Sequence, residues 1–195
     1  MRSVIVALVL AVLISGCPVE TPRLVVFSDP LTAEEHAKLG AIYEKEGDFD
    51  RAAEEYMDAV KKDPTNLVAL TGLGNVALSR EKYTTAIGYY KQALRIDPEN
   101  AVVHNNLGMA YLGKGNSGRA LEHAEKAVKF SEGKDPRMLD TRASAHEASG
   151  NMEAAKEDLE TAARLCDSIK EGDGNMDADC ELIKERLEDF GNKND

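Results

Sequence analysis

The sequence predicts an all-α solenoid in which about four helix pairs stack in a row and a C-terminal helix caps the end. Three observations carry this expectation. Small and apolar residues recur at a spacing of 34, turn residues fall between the helices that this spacing implies, and the last stretch is amphipathic with a helical period.

The recurrence is plainest in the first two copies. Gly40, Gly74 and Gly108 share one column, with Leu39, Leu73 and Leu107 in the column before it. Ala52, Ala86, Ala120 and, after a one-residue insertion, Ala155 share another, and so do Ala59, Ala93, Ala127 and Ala162. Phe49 aligns with Tyr83, Tyr56 with Tyr90, and Pro64 with Pro98. Small residues at such a spacing let two helix backbones approach, and the large ones fill the space beside them. Gly47-Asp48 and Gly150-Asn151 read as turns inside a pair, while Asp63-Pro64 and Asp97-Pro98 end one pair and begin the next.

This set of columns resembles the tetratricopeptide repeat (TPR), and the resemblance implies a right-handed superhelix of helix pairs. Four repeats are placed at 33–66, 67–100, 101–134 and 136–169. The third departs from the pattern, with Ser117 and Ala124 where large residues are expected and Glu132 in place of proline, so its packing should be the loosest. The fourth carries Arg142 and Ala143 instead of Leu-Gly. A polar stretch, 170–175, then precedes a helix with Cys180, Ile183, Leu187 and Phe190 on one face, and this loop and helix, 170–195, are expected to cap the solenoid.

The other end reads as an export signal. Arg2 precedes an unbroken apolar run, 4–14, too short to span a bilayer permanently. The sequence Ile14-Ser15-Gly16-Cys17 resembles a bacterial lipobox, which implies removal of residues 1–16 and a diacylglycerol on the Cys17 thiol. A plain secretory signal with a cysteine there by accident is the alternative. Residues 17–32, with three prolines, read as a tether. On this reading the protein is anchored in the bacterial cell envelope facing the periplasm, and Pro18 rather than an aspartate after the cysteine points to the outer membrane. Cys166 and Cys180 remain as an even pair in an oxidising compartment, where a disulfide is expected and free thiols are the alternative.

The formal net charge is −11, and loss of Arg2 with the signal makes it −12. Such a surface repels phosphate backbones and anionic headgroups, so nucleic acid is excluded as the expected partner and a basic or neutral protein is favoured. Catalytic and metal motifs are imitations only. Gly72-Leu-Gly74-Asn-Val-Ala77 spells a dinucleotide fingerprint, but it falls inside a helix of the repeat rather than after a strand. Asp173, Asn175 and Asp177 open like a calcium loop, yet Ala178 and Lys184 stand where glycine and glutamate are needed. His36, His104, His123 and His146 show no metal-ligand spacing. No enzyme activity, metal or cofactor is expected.

The resemblance to TPR proteins implies that the first helix of each pair lines a concave groove holding a peptide segment or helix of another protein. Counted onto this chain, the groove residues are Lys38, Thr71, Asn75, Asn105, Asn106 and Met109, with Lys45, Leu78, Leu112, Asp140, Thr141, Ser144 and Glu147 beside them. Asparagine amides can grip a peptide backbone; Asn75 and Asn106 serving instead to pack the helices is the competing expectation. The carboxylate clamp of chaperone-binding relatives is not carried over, since Ala37, Ala41, Gly72 and Val102 hold its places and only Asn106 is polar. The expected role is a membrane-anchored envelope scaffold for complex assembly. A type IV pilus or secretin assembly lipoprotein is the more specific alternative, and a docking regulator of cell-wall hydrolases a different one.

Overall fold

A computed structural model describes residues 29–168 and 174–194. The candidate signal, Cys17, most of the tether and Asp173 lie outside the described residues. The regular structure among those described is entirely helical: α1 (Ala33–Lys45), α2 (Phe49–Lys62), α3 (Leu67–Ser79), α4 (Tyr83–Ile96), α5 (Ala101–Gly113), α6 (Ser117–Phe130), α7 (Pro136–Ala148), α8 (Met152–Ser168) and α9 (Gly174–Asn194). These helices belong to one compact unit, Leu31–Asp195.

Local chemistry starts most of the helices. Thr32 and Glu35 form a reciprocal capping box at α1, and Asp48, Asn66, Asn100, Asn116 and Asp135 each accept a hydrogen bond from a backbone N–H of the first turn they precede. Helix α4 differs from these: Lys82 stands at its N-cap and makes no side-chain cap. The turn inside each pair passes through one left-handed residue, at Gly47, Glu81, Gly115 and Gly150.

Pairing then follows the columns. Ala52, Ala86, Ala120 and Ala155 are fully buried, as are Ala59, Ala93, Ala127 and Ala162. The Tyr56 ring slots between α1 and α3, so close that a Cβ at Gly40 would lie 2.6 Å from it and one at Gly72 2.2 Å. A deeper crossing between the two helices of a pair is built four different ways. The first pair uses His36 Nδ1 against Glu55 Oε2 at 2.7 Å, and the second places the apolar Leu70 and Tyr89 in these columns. The third brings His104 Nδ1 within 3.0 Å of His123 Nδ1. The fourth shifts by a turn, and Arg142 grips the buried Asp158 with two hydrogen bonds. That bidentate pair explains how the fourth repeat tolerates arginine in the leucine column.

Helix α9 packs on α8 and α7, the place a first helix of a fifth pair would take. Cys180 and Ile183 join Leu139, Ala162 and Cys166 in one cluster, while Leu187 and Phe190 lie against Ala143, Ala155 and Leu159. A disulfide, Cys166–Cys180, fastens α9 to α8 with a Cα–Cα separation of 5.5 Å. Closing a loop of this length contributes about 3 kcal/mol in the chain-entropy account. No helix among the described residues is long and apolar enough to cross a membrane.

Candidate functional site

The odd-numbered helices stand side by side, each touching the next, and the surface they present is a groove in two sections. A cavity of about 640 Å³ lies over α1, α3 and α5, lined by Glu44, Lys45, Val68, Thr71, Asn75 and Val102 among others. A second, of about 410 Å³, lies over α5, α7 and α9, with Asn105, Asn106, Met109, Asp140, Asp179 and Leu182 on its walls. Val102 lines both, so the sections adjoin there.

A hydrogen-bond ladder runs across the first section. Tyr56 Oη donates to Glu44 at 2.7 Å, Asn75 Nδ2 donates to the other oxygen of Glu44 at 3.0 Å, and Asn75 Oδ1 accepts from both Tyr90 Oη and Asn106 Nδ2 at 2.9 Å. Glu44, Asn75 and Asn106 sit on α1, α3 and α5 and are spaced evenly along the chain. Burial, joined in Tyr56 by the Glu44 hydrogen bond and charge, lifts the pKa of both tyrosines far above the usual phenol range, so they stay neutral donors. The ladder fixes the spacing of three helices on the groove side, and it uses the amides of Asn75 and Asn106 for that purpose.

The remaining sequence-selected residues are placed as follows. Thr71 lines the first section with its hydroxyl donated to Leu67 O. Asn105 and Met109 line the second, the Asn105 amide 3.8 Å from the Met109 sulfur, and the buried carbonyl oxygen of Asn105 has no partner among the described residues. Lys38 is exposed and pairs with Glu34 at 2.8 Å, at the edge of α1 rather than on either cavity wall. Leu78 and Leu112 pack against the core. Glu44, Arg186 and the α9 residues were not selected by sequence. The even spacing of Glu44, Asn75 and Asn106 was a readable signal for the first; Arg186 had none.

Electrostatics differ between the sections. In the first, Glu44 is occupied by the ladder. In the second, Asp135, Asp140 and Asp179 stand around an apolar floor, with Arg137 as the basic side chain on the lining. Arg186 reaches from α9 to Asp140 and to Glu147 Oε1, the latter at 2.6 Å. Burial raises the Asp140 carboxyl above its ordinary range, against the pull of Arg186. Among the described residues no group of histidine, cysteine and carboxylate side chains is arranged to hold a metal ion.

The chain is similar in fold to a crystal structure of MamA, with 24% identity over 72% of this chain and 81% of that one and a TM-score of 0.64. It is similar to TTC0263, a thermophilic TPR protein of Thermus thermophilus, at 17% identity over 80% and 82% of the two chains and a TM-score of 0.65. Against the Cut9–Hcn1 hetero-tetramer of APC/C the TM-score is 0.66 at 19% identity, covering 78% of this chain and 30% of that one. No curated protein matches the chain in sequence. Family models for the tetratricopeptide repeat match residues 33–66, 101–133 and 136–168, and a TPR repeat model matches 74–115. With the helix pairs, the buried alanine columns and these matches in agreement, the chain belongs to the tetratricopeptide-repeat family.

Proposed function

We propose that this protein is a membrane-anchored cell-envelope scaffold that holds a segment of another protein in its concave groove during assembly of a larger complex. The observation that carries the reading is the pair of adjoining cavities on one face, where Val68, Val102, Met109 and Leu182 keep 57, 51, 44 and 63% of their surface exposed. Large apolar side chains gathered on one concave face mark a surface built to be covered. TPR folds serve as protein-binding surfaces, and Cut9–Hcn1, similar in fold, is a hetero-tetramer. The anchor rests on the lipobox-like Ile14-Ser15-Gly16-Cys17, and the apolar leader before it supplies the route to the envelope.

The test is photo-crosslinking in intact cells from a probe at Thr71 or Met109, with a probe at Lys91 on α4 as control. A partner captured from the groove positions and not from Lys91 supports the reading; equal capture from all three overturns it. Membrane fractionation of Cys17→Ser tests the anchor, since the lipid reading requires this variant to leave the membrane. A captured pilus or secretin subunit assigns the protein to that assembly, and a peptidoglycan hydrolase makes it a docking regulator.

A further inference from the structure

The groove does not end where the repeats end. Asp179, Leu182 and Ile183 of α9 complete the wall of the second section, opposite Val102, Asn105 and Met109 of α5. The capping helix is therefore part of the binding surface as well as a cover for the last pair. Its position is held by the packing of Ile183, Leu187 and Phe190, by the disulfide at Cys180, one residue from Asp179, and by Arg186, which bonds Asp140 and Glu147 of α7.

The chemistry of this section is specific. Its floor is apolar, from Val102, Met109, Met138, Leu182 and Ile183, and its rim carries Asp135, Asp140 and Asp179 against Arg137, with Arg186 holding Asp140 from behind. Arg137 already bonds Asp135 at 2.7 Å and stands 3.9 Å from Asp179. Leu182 is the most exposed large apolar side chain among the described residues. Counting Glu147 and Arg186 behind the rim, four carboxylates face two arginines, so a cationic group beside an apolar one would meet an acidic excess, whereas an acidic segment would add to it.

We infer that the α5–α7–α9 section selects a protein segment in which an apolar side chain lies within a turn of a lysine or arginine, with α9 supplying the selecting wall. This rests on the groove reading above and adds to it the sign and composition of the segment. The overall acidic charge attracts any basic peptide weakly, so the test must separate the site from the net charge.

Binding of a dye-labelled leucine–lysine peptide, and of its leucine–glutamate counterpart, is measured by fluorescence anisotropy on the oxidised protein. The leucine–lysine peptide should bind at least about tenfold more tightly, and Asp179→Asn with Leu182→Ala should remove about tenfold of that affinity. Glu54→Gln, an exposed carboxylate on α2, changes the net charge by the same amount as Asp179→Asn and should leave binding unchanged. An unaltered thermal transition in each variant shows that the fold is intact; for any variant that fails this, Leu182→Ala alone replaces the double change. Equal losses from the α9 and α2 variants, or equal affinity for the two peptides, would overturn the inference. Either failure leaves the groove reading standing, because that reading is decided by which positions capture a partner in cells.

Discussion

The second and third repeats occupy the middle of the solenoid, share the same columns and solve opposite halves of the same problem. Repeat two has the tight core. The Tyr90 ring is fully buried against Gly74, its hydroxyl is held by Asn75, and the deeper columns hold Leu70 and Tyr89. Repeat three has Ala124 in the place of that tyrosine, room beside Gly108, and a histidine pair at the deeper crossing. Their turns reverse the order. Repeat three turns through Gly115 and caps α6 with Asn116, whereas repeat two turns through a left-handed Glu81 and begins α4 with no side-chain cap. Packing and turn chemistry are therefore tuned independently within a repeat, and each repeat is adequate because one half offsets the other.

The largest expected effect comes from making the same substitution in both cores. A Cβ on Gly74 would lie 2.3 Å from Tyr90, whereas one on Gly108 would meet its nearest neighbours, Ala120 O and Thr141 Cγ2, at 3.4 Å. Tyr90 cannot swing aside without leaving its buried site and its bond to Asn75. Gly74→Ala should lower stability by about 2 to 3 kcal/mol through overpacking, even after the helix-propensity gain. Gly108→Ala should raise it by up to about 1 kcal/mol. Urea unfolding of the two variants reads the difference; a shared sign would mean that the two cores are not distinct.

The histidine pair makes repeat three the acid-labile one. Pro98 O lies 3.0 Å from His104 Nε2, so that nitrogen donates and His104 Nδ1 accepts from His123 Nδ1–H. Burial first, then the neighbouring His104, holds the His123 pKa down at about 4, with Lys126 and Lys91 adding to the shift and Glu122 on the same helix opposing it. His104 is lowered as well, by burial and by Lys126, against the Pro98 carbonyl, Glu122 and Asp97. A histidine depressed in the folded state contributes stability that is complete above its unfolded pKa of roughly 6.5 and lost as pH falls towards the folded value. Between about pH 7 and pH 4 the loss from this pair should be on the order of 2 to 3 kcal/mol. Replacing it with the residues of repeat two, His104→Leu with His123→Tyr, should flatten that part of the stability profile measured by urea titration. A profile equally steep in both proteins would place the acid sensitivity elsewhere.

How much of this was legible in the sequence follows the same division. The buried alanine columns, the cap face through Phe190 and the pairing of Cys166 with Cys180 were readable, because small-residue spacing and leftover cysteines are properties of the chain itself. The lack of a ring over Gly108 was readable too, from Ala124 in the large column, but the loose packing expected of repeat three is not found: Leu107, Ala120, Ala124 and Ala127 are fully buried, and backbone atoms of α6 lie within 3.4–3.6 Å of where a Gly108 Cβ would be. The chemistry between helices was not. The His104–His123 contact joins two helices whose residues match nothing adjacent in sequence, and Arg142 looked like a defect until Asp158 was seen beneath it. In the groove, gripping a peptide and packing the helices are competing expectations for Asn75 and Asn106, and their amides tie α1, α3 and α5 together through Glu44, as the packing expectation has it. The wall from α9 was invisible because the cap face shows that the helix packs on the last pair, not which of its other residues reach the groove; Arg186 and its α7 partners are far apart in sequence.

The smallest expected effect repairs the weak half of repeat two with the turn of repeat three. Glu81 has φ 57°, where a side chain crowds the backbone, while Gly115 carries the corresponding turn at φ 75° without that cost. Lys82 leaves the first N–H groups of α4 without a side-chain acceptor, whereas Asn116 accepts from Arg119 N at 3.1 Å. Glu81→Gly should therefore gain about 1 kcal/mol from relief of the left-handed strain, less the extra freedom it gives the unfolded chain. Lys82→Asn should gain about 0.5 to 1 kcal/mol as a new N-cap. The two changes act on different backbone groups, so their sum should appear in the double variant when unfolding midpoints are compared at neutral pH. Neither touches Tyr90 or the Gly74 contact, and the double variant should leave the penalty of Gly74→Ala unchanged. If the repaired turn reduced that penalty, core and turn would be coupled through α4, and the independence seen between the two repeats would have to be given up.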